Sequence, residues 1–352
     1  MSAVEYEEVL PFVSVAVPVR NETLHIERCL RAVVGQEYPA NRFEVLVADG
    51  ESSDRTREQV ATIVSEFPEI SITLLNNPGR IVPTGLNVAL ARARGEVFIR
   101  VDGHTVIEPD YVKECVRALA RSGASNVGGP MRAVGEGLFG RAISLATSTP
   151  FGVGSAKFHY AEHEEWVDTV YLGAWPRTIF DRVGHFDEEM VRNQDDEFNY
   201  RLREAGSRIF LTPRIKSSYY PRTTPLTLCR QYFQYGYWKV RVMQKHPRQM
   251  QLRQFVPPAF VLAIVLFLLP LGPIVRPVLG TLLLLYALLN VMASVWVARR
   301  GHWSVVYLIP LAFCAIHLSY GTGFLAGLVR FWNRWSDRTT SAKAADGGRA
   351  AA

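Results

Sequence analysis

Four nearly continuous apolar runs punctuate the first third of the chain: Phe12 to Val19, Phe43 to Ala48, Ile70 to Leu75 and Val97 to Val101. Between them, Ile26, Leu30, Val33 and Val34 fall on one helical face, as do Val60, Ile63, Val64 and Phe67. Nearly continuous Val/Ile/Leu runs separated by helical segments belong to a parallel sheet covered on both faces, so residues from Phe12 to about Ala120 read as an α/β fold with a mainly parallel sheet. Past Gly128 and Pro130 the periodicity becomes irregular and rich in Gly, Ser and Tyr, which suits a half built from loops and short elements. Helical spacing returns over Phe198 to Ala205.

From Phe255 the pattern changes abruptly to three almost charge-free stretches, Phe255 to Val275, Val278 to Ala298 and Trp303 to Val329. A bilayer span needs about 20 apolar residues, so each is long enough to cross. Lys239, Arg241, Lys245, Arg248 and Arg253 precede the first run, and Arg299 and Arg300 end the second, as in a hairpin with both ends cytosolic. Arg330, Arg334 and Arg338 follow the third, so a third full crossing would place positive charge outside. The segment with Pro257, Pro258, Pro270 and Pro273 is therefore a candidate re-entrant or interfacial element. The expected organisation is a catalytic domain over 1–250, a membrane domain over 255–330 with two or three transmembrane helices, and a disordered tail over 331–352. The end of that tail, from Ser341, is rich in Ala and Gly.

Composition agrees with two parts: 352 residues, 48% hydrophobic and 20% charged, leave room for one α/β domain and a further element. The net charge of +6 comes largely from Lys and Arg beside the apolar runs, which suits anionic lipid headgroups, and no basic stripe interleaved with aromatics suggests nucleic acid. Cys29, Cys115, Cys229 and Cys314 are far apart and form no Cys-x-x-Cys pair, so they read as reduced structural thiols. Glu5 to Glu8 stand where a secretory signal would need a basic region, which leaves the first domain in the cytosol and the chain in a bacterial inner membrane, multi-pass.

Ligands of open parallel sheets collect outside the carboxyl ends of the strands. Asp49 and Asp102 each stand just past an apolar run. A carboxylate at such an edge repels phosphate unless it binds a sugar hydroxyl, a base N–H or a metal. Asp54, before Arg55 and Thr56, fits a helix cap instead. No Gly-x-Gly-x-x-Gly follows the first run, which removes the dinucleotide-binding alternative.

Five motifs or segments then bear on function: Val15 to Glu22 with Pro18, Arg20 and Glu22; Ala48 to Thr56 with Asp49; Arg100 to Thr105 with Asp102 and His104; Tyr171 to Trp175; and Gln194 to Glu197 with Arg201. Together with Gln231 to Trp238, the chain resembles family 2 glycosyltransferases over about its first 240 residues, and within them the succinoglycan-type (ExoA-like) polysaccharide enzymes. The resemblance implies a GT-A fold, a nucleotide-sugar donor, a divalent cation and inversion at the anomeric carbon. It makes Asp102 a donor and metal residue and puts His104 in the place where relatives carry a second Asp, which tilts the expected ion from Mg²⁺ towards Mn²⁺. Asp195 becomes the general base that takes the acceptor proton, and Gln194, where relatives carry Glu, a neighbour of the acceptor. Asp196 and Glu197 also complement a helix N-terminus. Asp49 corresponds to the residue that reads the nucleobase, with Pro18, Arg20 and Glu22 beside base and ribose. Arg80 and Asn87 match the segment lining the donor pocket, and either fits a loop-closing role too. Trp175 fits an acceptor wall or the core. Gln234 and Trp238 resemble a Gln-x-x-Arg-Trp motif with Tyr237 in place of Arg, and Trp238 suits an acceptor sugar or a membrane interface. The reaction expected is transfer of a hexose, glucose from a UDP-sugar, to a lipid-linked or other membrane-bound glycan; a processive synthase and a non-catalytic nucleotide-sugar-binding scaffold are the alternatives.

Overall fold

The computed structural model describes residues 10–154, 156–220, 224–270 and 274–335. Of the tail expected to be disordered, residues 336–352 lie outside the described residues, as does Pro273, whereas Phe331 is buried against Tyr237 and Trp238. The chain forms two compact units, Met1–Ala133 with Ala156–Tyr220, and Val134–Ser155 with Pro221–Ala352.

In chain order the first unit begins with β1 (Val13–Val19), α1 (Ile26–Val34), β2 (Phe43–Asp49), α2 (Thr56–Glu66), β3 (Ser71–Asn76), α3 (Val82–Arg92), β4 (Val97–Arg100), β5 (Thr105–Ile107), α4 (Tyr111–Ser122), β6 (Asn126–Gly129) and β7 (Met131–Ala133). The second unit takes α5 (Gly137–Thr147) and α6 (Pro150–Val153). The chain then returns to the first with β8 (Glu165–Val167), β9 (Tyr171–Pro176), α7 (Ile179–Val183), α8 (Gln194–Glu204), β10 (Ile209–Leu211) and β11 (Ser217–Tyr219). It ends in the second with α9 (Pro225–Lys245), α10 (Val256–Leu268), α11 (Val275–Ala298) and α12 (Ile309–Arg330).

The first unit is built on an eight-stranded sheet of order β3-β2-β1-β4-β9-β6-β10-β8, beside a small sheet β5-β11-β7. β1 to β4 run parallel, and β9 enters antiparallel between β4 and β6. The seven residues of β1 and the seven of β2 are all buried, which explains their mostly apolar sequence; the buried Ser14 hydroxyl donates to the buried Glu44 at 2.7 Å. Val13, Val15, Val17 and Val19 pack with α1, α2 and α4 on one face. Ala16, Leu46 and Phe98 pack with α3, α7 and α8 on the other. Each fully buried Val, Leu or Phe contributes about 1.5–3 kcal/mol, so neither helical layer is dispensable. The register pairs Val19 with Asp49 and Asp49 with Asn76, so β1, β2 and β3 end level and deliver their loops to one edge.

In the second unit, α11 and α12 are long and apolar enough to cross a membrane. At 1.5 Å per residue the 13 residues of α10 reach only about 20 Å, against a hydrocarbon core of about 30 Å. α10 stops because Leu269, extended at ψ 155°, precedes Pro270, whose ring disfavours helical backbone in the residue before it. No apolar stripe announced α9. Its partner is α12, and the two backbones approach through glycines: a Cβ on Gly236 would overlap the Tyr320 carbonyl, one on Gly323 the Phe233 carbonyl, and one on Gly327 that of Tyr237. Arg241, fully buried, donates to Gln244 at 2.6 Å and to the Arg334 carbonyl at 3.3 Å where the pair ends.

Because the atoms that a side chain at 323 would meet are backbone, Gly323→Val forces α9 away from α12. Overpacking of this kind costs about 1–3 kcal/mol or more. The expected outcome is a thermal midpoint several degrees lower in detergent, read by near-UV circular dichroism, with Leu325→Val on the same helix as a mild control.

Candidate active site

The loops after β1, β2 and β3 each hold one non-glycine residue with positive φ: Asn21 at 55°, Glu51 at 54° and Arg80 at 59°. Cross-loop bonds fix these backbones. Asn21 N–H donates to Ser52 Oγ at 2.9 Å and its Oδ1 accepts from Ser53 N–H at 2.9 Å, while Arg80 pairs with Glu51. Gly50 lets the loops touch, since a Cβ there would stand 3.2 Å from Arg80 Cα and 3.3 Å from Arg20 Cβ. Arg20, Asp49 and Arg80 are thus gathered at the carboxyl edge. Pro18 packs beneath them, against the open side of Gly85 on α3.

Asp49 closes β2 with 0% exposure. Its Oδ2 accepts from Arg57 Nη1 at 2.7 Å and from Ser52 N–H at 3.2 Å. Its Oδ1 is buried with no hydrogen-bond partner among the described residues. An unmet buried acceptor costs about 1–3 kcal/mol, so this oxygen is suited to a ligand N–H.

The next edge loop leaves β4. Arg100, the last residue of β4, has a side chain only 7% exposed, and it donates through Nε to Asp102 Oδ1 at 2.7 Å and through Nη2 to Oδ2 at 3.0 Å. Its Nη1 has no hydrogen-bond partner among the described residues and lies 3.9 Å from Asp195 Oδ2. Asp195 comes from the first turn of α8, where its Oδ1 accepts the Asp196 N–H at 2.8 Å. One buried guanidinium therefore stands between the two carboxyl groups.

The two carboxyls are driven apart in acidity. Burial would raise Asp102, but the charge and hydrogen bonds of Arg100, with help from His104 and Arg192, hold it below the ordinary carboxylate range. Burial raises Asp195; Arg100 pulls against this, and the negative charges of Asp196 and Asp102 add to the rise. Two carboxyls separated in this way suit different tasks at one pH, one as a permanent anion and one as a proton acceptor.

His104 lies beyond Asp102. Its Nδ1 stands 3.2 Å from Glu22 Oε1, and its ring meets Tyr219 edge-on at 5.5 Å between centroids. Glu22 thus joins the β1 loop to the β4 loop. Among the described residues no three His, Cys, Asp or Glu side chains gather as a metal cage. Asp102 and His104 are one carboxylate and one imidazole, a donor pair compatible with two positions of an ion whose other ligands are phosphate and water.

The other expected site residues make contacts of their own. Asn87 on α3 is a clamp: its Nδ2 donates to the Phe186 carbonyl and to Glu188 Oε1, both at 2.9 Å, and its Oδ1 accepts Phe186 N–H at 3.0 Å. It fixes the loop that leads towards α8. Trp175 is 1% exposed and belongs to the aromatic core with Phe98, Phe180, Phe186 and Phe198. Gln194 is buried as the first residue of α8, after Asn193 at φ 62°. Glu197 is buried and grips Arg201 at 2.7 Å and 2.9 Å, while Arg201 donates to the Val183 and His185 carbonyls. Gln234 and Trp238 belong to the second unit, where Trp238 Nε1–H donates to Gln234 Oε1 at 3.1 Å one helical turn away.

Sequence reasoning missed Arg100 and Arg192 as site residues. Arg100 had a signal, a lone charge closing an apolar strand run, whereas Arg192 in an irregular loop had none.

The sequence model of Glycosyl transferase family 2 matches residues 14–184. Succinoglycan biosynthesis protein ExoA of Rhizobium meliloti is 30% identical over 331 residues, 91% of this chain and 96% of that protein. A dolichyl N-acetyl-alpha-D-glucosaminyl phosphate 3-beta-D-2,3-diacetamido-2,3-dideoxy-beta-D-glucuronosyltransferase of Methanococcus voltae is 24% identical over 325 residues, 91% of this chain and 98% of that one. Among solved structures, the mannosyltransferase PcManGT of Pyrobaculum calidifontis, in complex with GDP-Man and Mn²⁺, superposes with a TM-score of 0.59 at 21% identity, covering 90% of this chain and 87% of that chain. The fold is GT-A, and the chain belongs to glycosyl transferase family 2.

Proposed function

We propose that this glycosyltransferase moves a hexose, glucose from a UDP donor, to a lipid-linked or other membrane-bound glycan during cell-surface polysaccharide synthesis, with inversion at the anomeric carbon. The observation that carries the reading is the pair of carboxyls flanking Arg100, one held ionised and one raised. Asp49 Oδ1, buried and unmet, is suited to the N–H of a uracil ring, with Pro18, Arg20 and Glu22 around base and ribose. Arg80 on its loop is placed for phosphate. A divalent cation, Mn²⁺ or Mg²⁺, would be held by Asp102 and His104 and would neutralise charge on the departing diphosphate. Arg100 keeps Asp102 anionic and oriented for that task. Asp195 takes the acceptor hydroxyl proton, and its raised proton affinity strengthens it as a base near neutral pH.

Two named relatives support the acceptor class. One serves succinoglycan biosynthesis and the other acts on a dolichyl-linked sugar phosphate, both over nearly their whole lengths. The long apolar helices support attachment to an inner membrane, where a lipid-linked acceptor is concentrated near the enzyme, with the catalytic domain cytosolic. In this reading 1–250 is catalytic and 255–330 anchors the chain. Gln194 borders the acceptor, and Trp175 supports that wall from within the core.

The test is nucleotide release from a panel of UDP- and GDP-sugars by the detergent-purified protein, supplied with Mn²⁺ and lipid extract. UDP-glucose is expected to be consumed. Asp195→Asn should lower kcat by about 10²–10⁴-fold, the usual contribution of a positioned base, with donor binding retained. Turnover unaffected by that substitution would remove Asp195 as the base. Asp49→Asn substitutes an amide for a charged acceptor worth about 1.5–3 kcal/mol. Calorimetry should therefore find UDP bound roughly 10- to 100-fold more weakly.

The pH profile gives a separate prediction. Asp195 works deprotonated, so kcat rises with pH as it ionises, and its raised pKa places that limb above the ordinary carboxylate range. Asp196 is one of the charges that raises it, so Asp196→Asn should move the limb to lower pH. A limb that stays in place would show that the profile reports a different group.

A further inference from the structure

Three apolar runs invite three crossings, but the packing of the second unit divides them differently. α10 and α11 form an antiparallel hairpin. Phe260 stacks near Tyr286 at 4.1 Å between centroids, and further along, Phe267 meets Gly280 and lies under Arg276 at 5.9 Å. Pro257 is therefore roughly level with Asn290 at the base of the hairpin, and Arg276 is near its tip.

α12 crosses this base. Near its start, Asn290 donates to the Pro310 carbonyl at 3.2 Å and to Cys314 Sγ at 3.3 Å. One turn on, His317 Nδ1 meets the Tyr286 hydroxyl at 3.0 Å. Gly321 then abuts the Pro257 carbonyl and Val261 of α10, and Phe324 packs on Phe255 at 5.8 Å. Pro310 and Phe324 are thus both level with the base of the hairpin, although 14 residues of helix advance about 21 Å. Past that point Phe331 leaves the hairpin and packs on Tyr237 and Trp238 of α9, at 4.9 and 5.7 Å.

Burial agrees with the contacts. Among the described residues beyond Val261 on α10 and before Asn290 on α11, only Leu279 is buried, so nothing runs alongside the outer part of the hairpin. α9 argues in the same direction: its Gly236, with Gly323 and Gly327 of α12, locks the two helices together, and it carries Arg230, Lys239, Arg241 and Lys245, which a spanning α12 would draw into hydrocarbon.

We infer that α12 does not cross the membrane but lies in the plane of one interface, across the base of a single inserted hairpin formed by α10 and α11. Its outward row, Leu311, Leu318, Thr322, Leu325 and Val329, is spaced for one helical face and meets the lipid. Dimensions fit. An interfacial helix lies about 5–10 Å deep, and the 11 residues from Val275 to Tyr286 add about 17 Å. The sum approaches the hydrocarbon thickness of about 30 Å and brings Arg276 to the far headgroups. Arg253, Arg299, Arg300, Arg330 and Arg334 then share one side, which removes the charge conflict that a third crossing creates.

The inference rests on the membrane attachment in the proposed function, and pelleting of the chain with membranes after alkaline carbonate tests that attachment separately. Topology is read on the full chain in sealed vesicles of both orientations. Single cysteines replace Gly301, ahead of α12, and Trp335, after it, in a background with the native cysteines changed to Ala, and an impermeant maleimide is added. Both positions are expected to label from the same side; labelling from opposite sides would overturn the inference. Spin labels at Leu311, Leu318 and Leu325 give a second reading that needs no sidedness. Depths equal within about one helical turn, 5 Å, support an in-plane helix, and a progression of about 20 Å from 311 to 325 refutes it.

Discussion

β1 is buried on both faces along its whole length, and that constraint organises the first unit. A strand with Val13, Val15, Val17 and Val19 on one side and Ala16 on the other must be covered twice, by α1, α2 and α4 and by α3, α7 and α8. Parallel pairing to β2 on one side and β4 on the other then makes β1 the point where the strand order reverses. The loops on the two sides of such a point diverge and leave a crevice at the carboxyl edge. Pro18, Arg20, Glu22, Asp49, Arg80 and Asp102 all stand at that edge or on the loops leaving it.

The electrostatics of the crevice follow from burial. Arg100 sits at the end of β4 and cannot be deprotonated, so it must be met by anions at short range. Asp102 meets it with both oxygens, and Asp195 stands at a longer distance from the remaining nitrogen. Burial raises both carboxyls; Arg100 outweighs it at Asp102 and not at Asp195, where the charge of Asp196 adds to the rise. The division of labour proposed for the two residues is a consequence of unequal distance to one cation. The clamp of Asn87 on Phe186 and the grip of Glu197 on Arg201 hold the segment that carries Asp195, so the longer distance is maintained by structure far from the carboxyl itself.

The second unit follows a different rule. Its helices are joined where side chains are small or polar: Gly236, Gly323 and Gly327 bring α9 against α12, and Asn290 and His317 tie α11 to α12 and α6. Between apolar helices in lipid there is little hydrophobic gain from association, so close backbone approach and hydrogen bonds carry it. The large apolar side chains that dominate the composition of α11 point outward instead.

The sequence by itself determined the parallel strands β1, β2 and β4, because residues buried on both faces are mostly apolar, and it marked the half-exposed edge strand β3 by the run from Ile70 to Leu75. It determined the edge carboxylates Asp49 and Asp102 as well, because they follow those strands directly. It located the three apolar runs, and Pro270 stands where the first, shortened helix ends. Tertiary structure alone decided what depends on residues far apart in the chain. Trp175 became part of an aromatic core rather than a visible site wall, and Asn87 became a clamp on a loop about 100 residues away. Arg100 acquired a second neighbour in Asp195, almost 100 positions later, and α9 acquired a partner that no periodicity in its own sequence announces. Local pattern records which faces are buried, whereas the partner that buries them and the charges that meet across a fold are fixed only when distant segments pack.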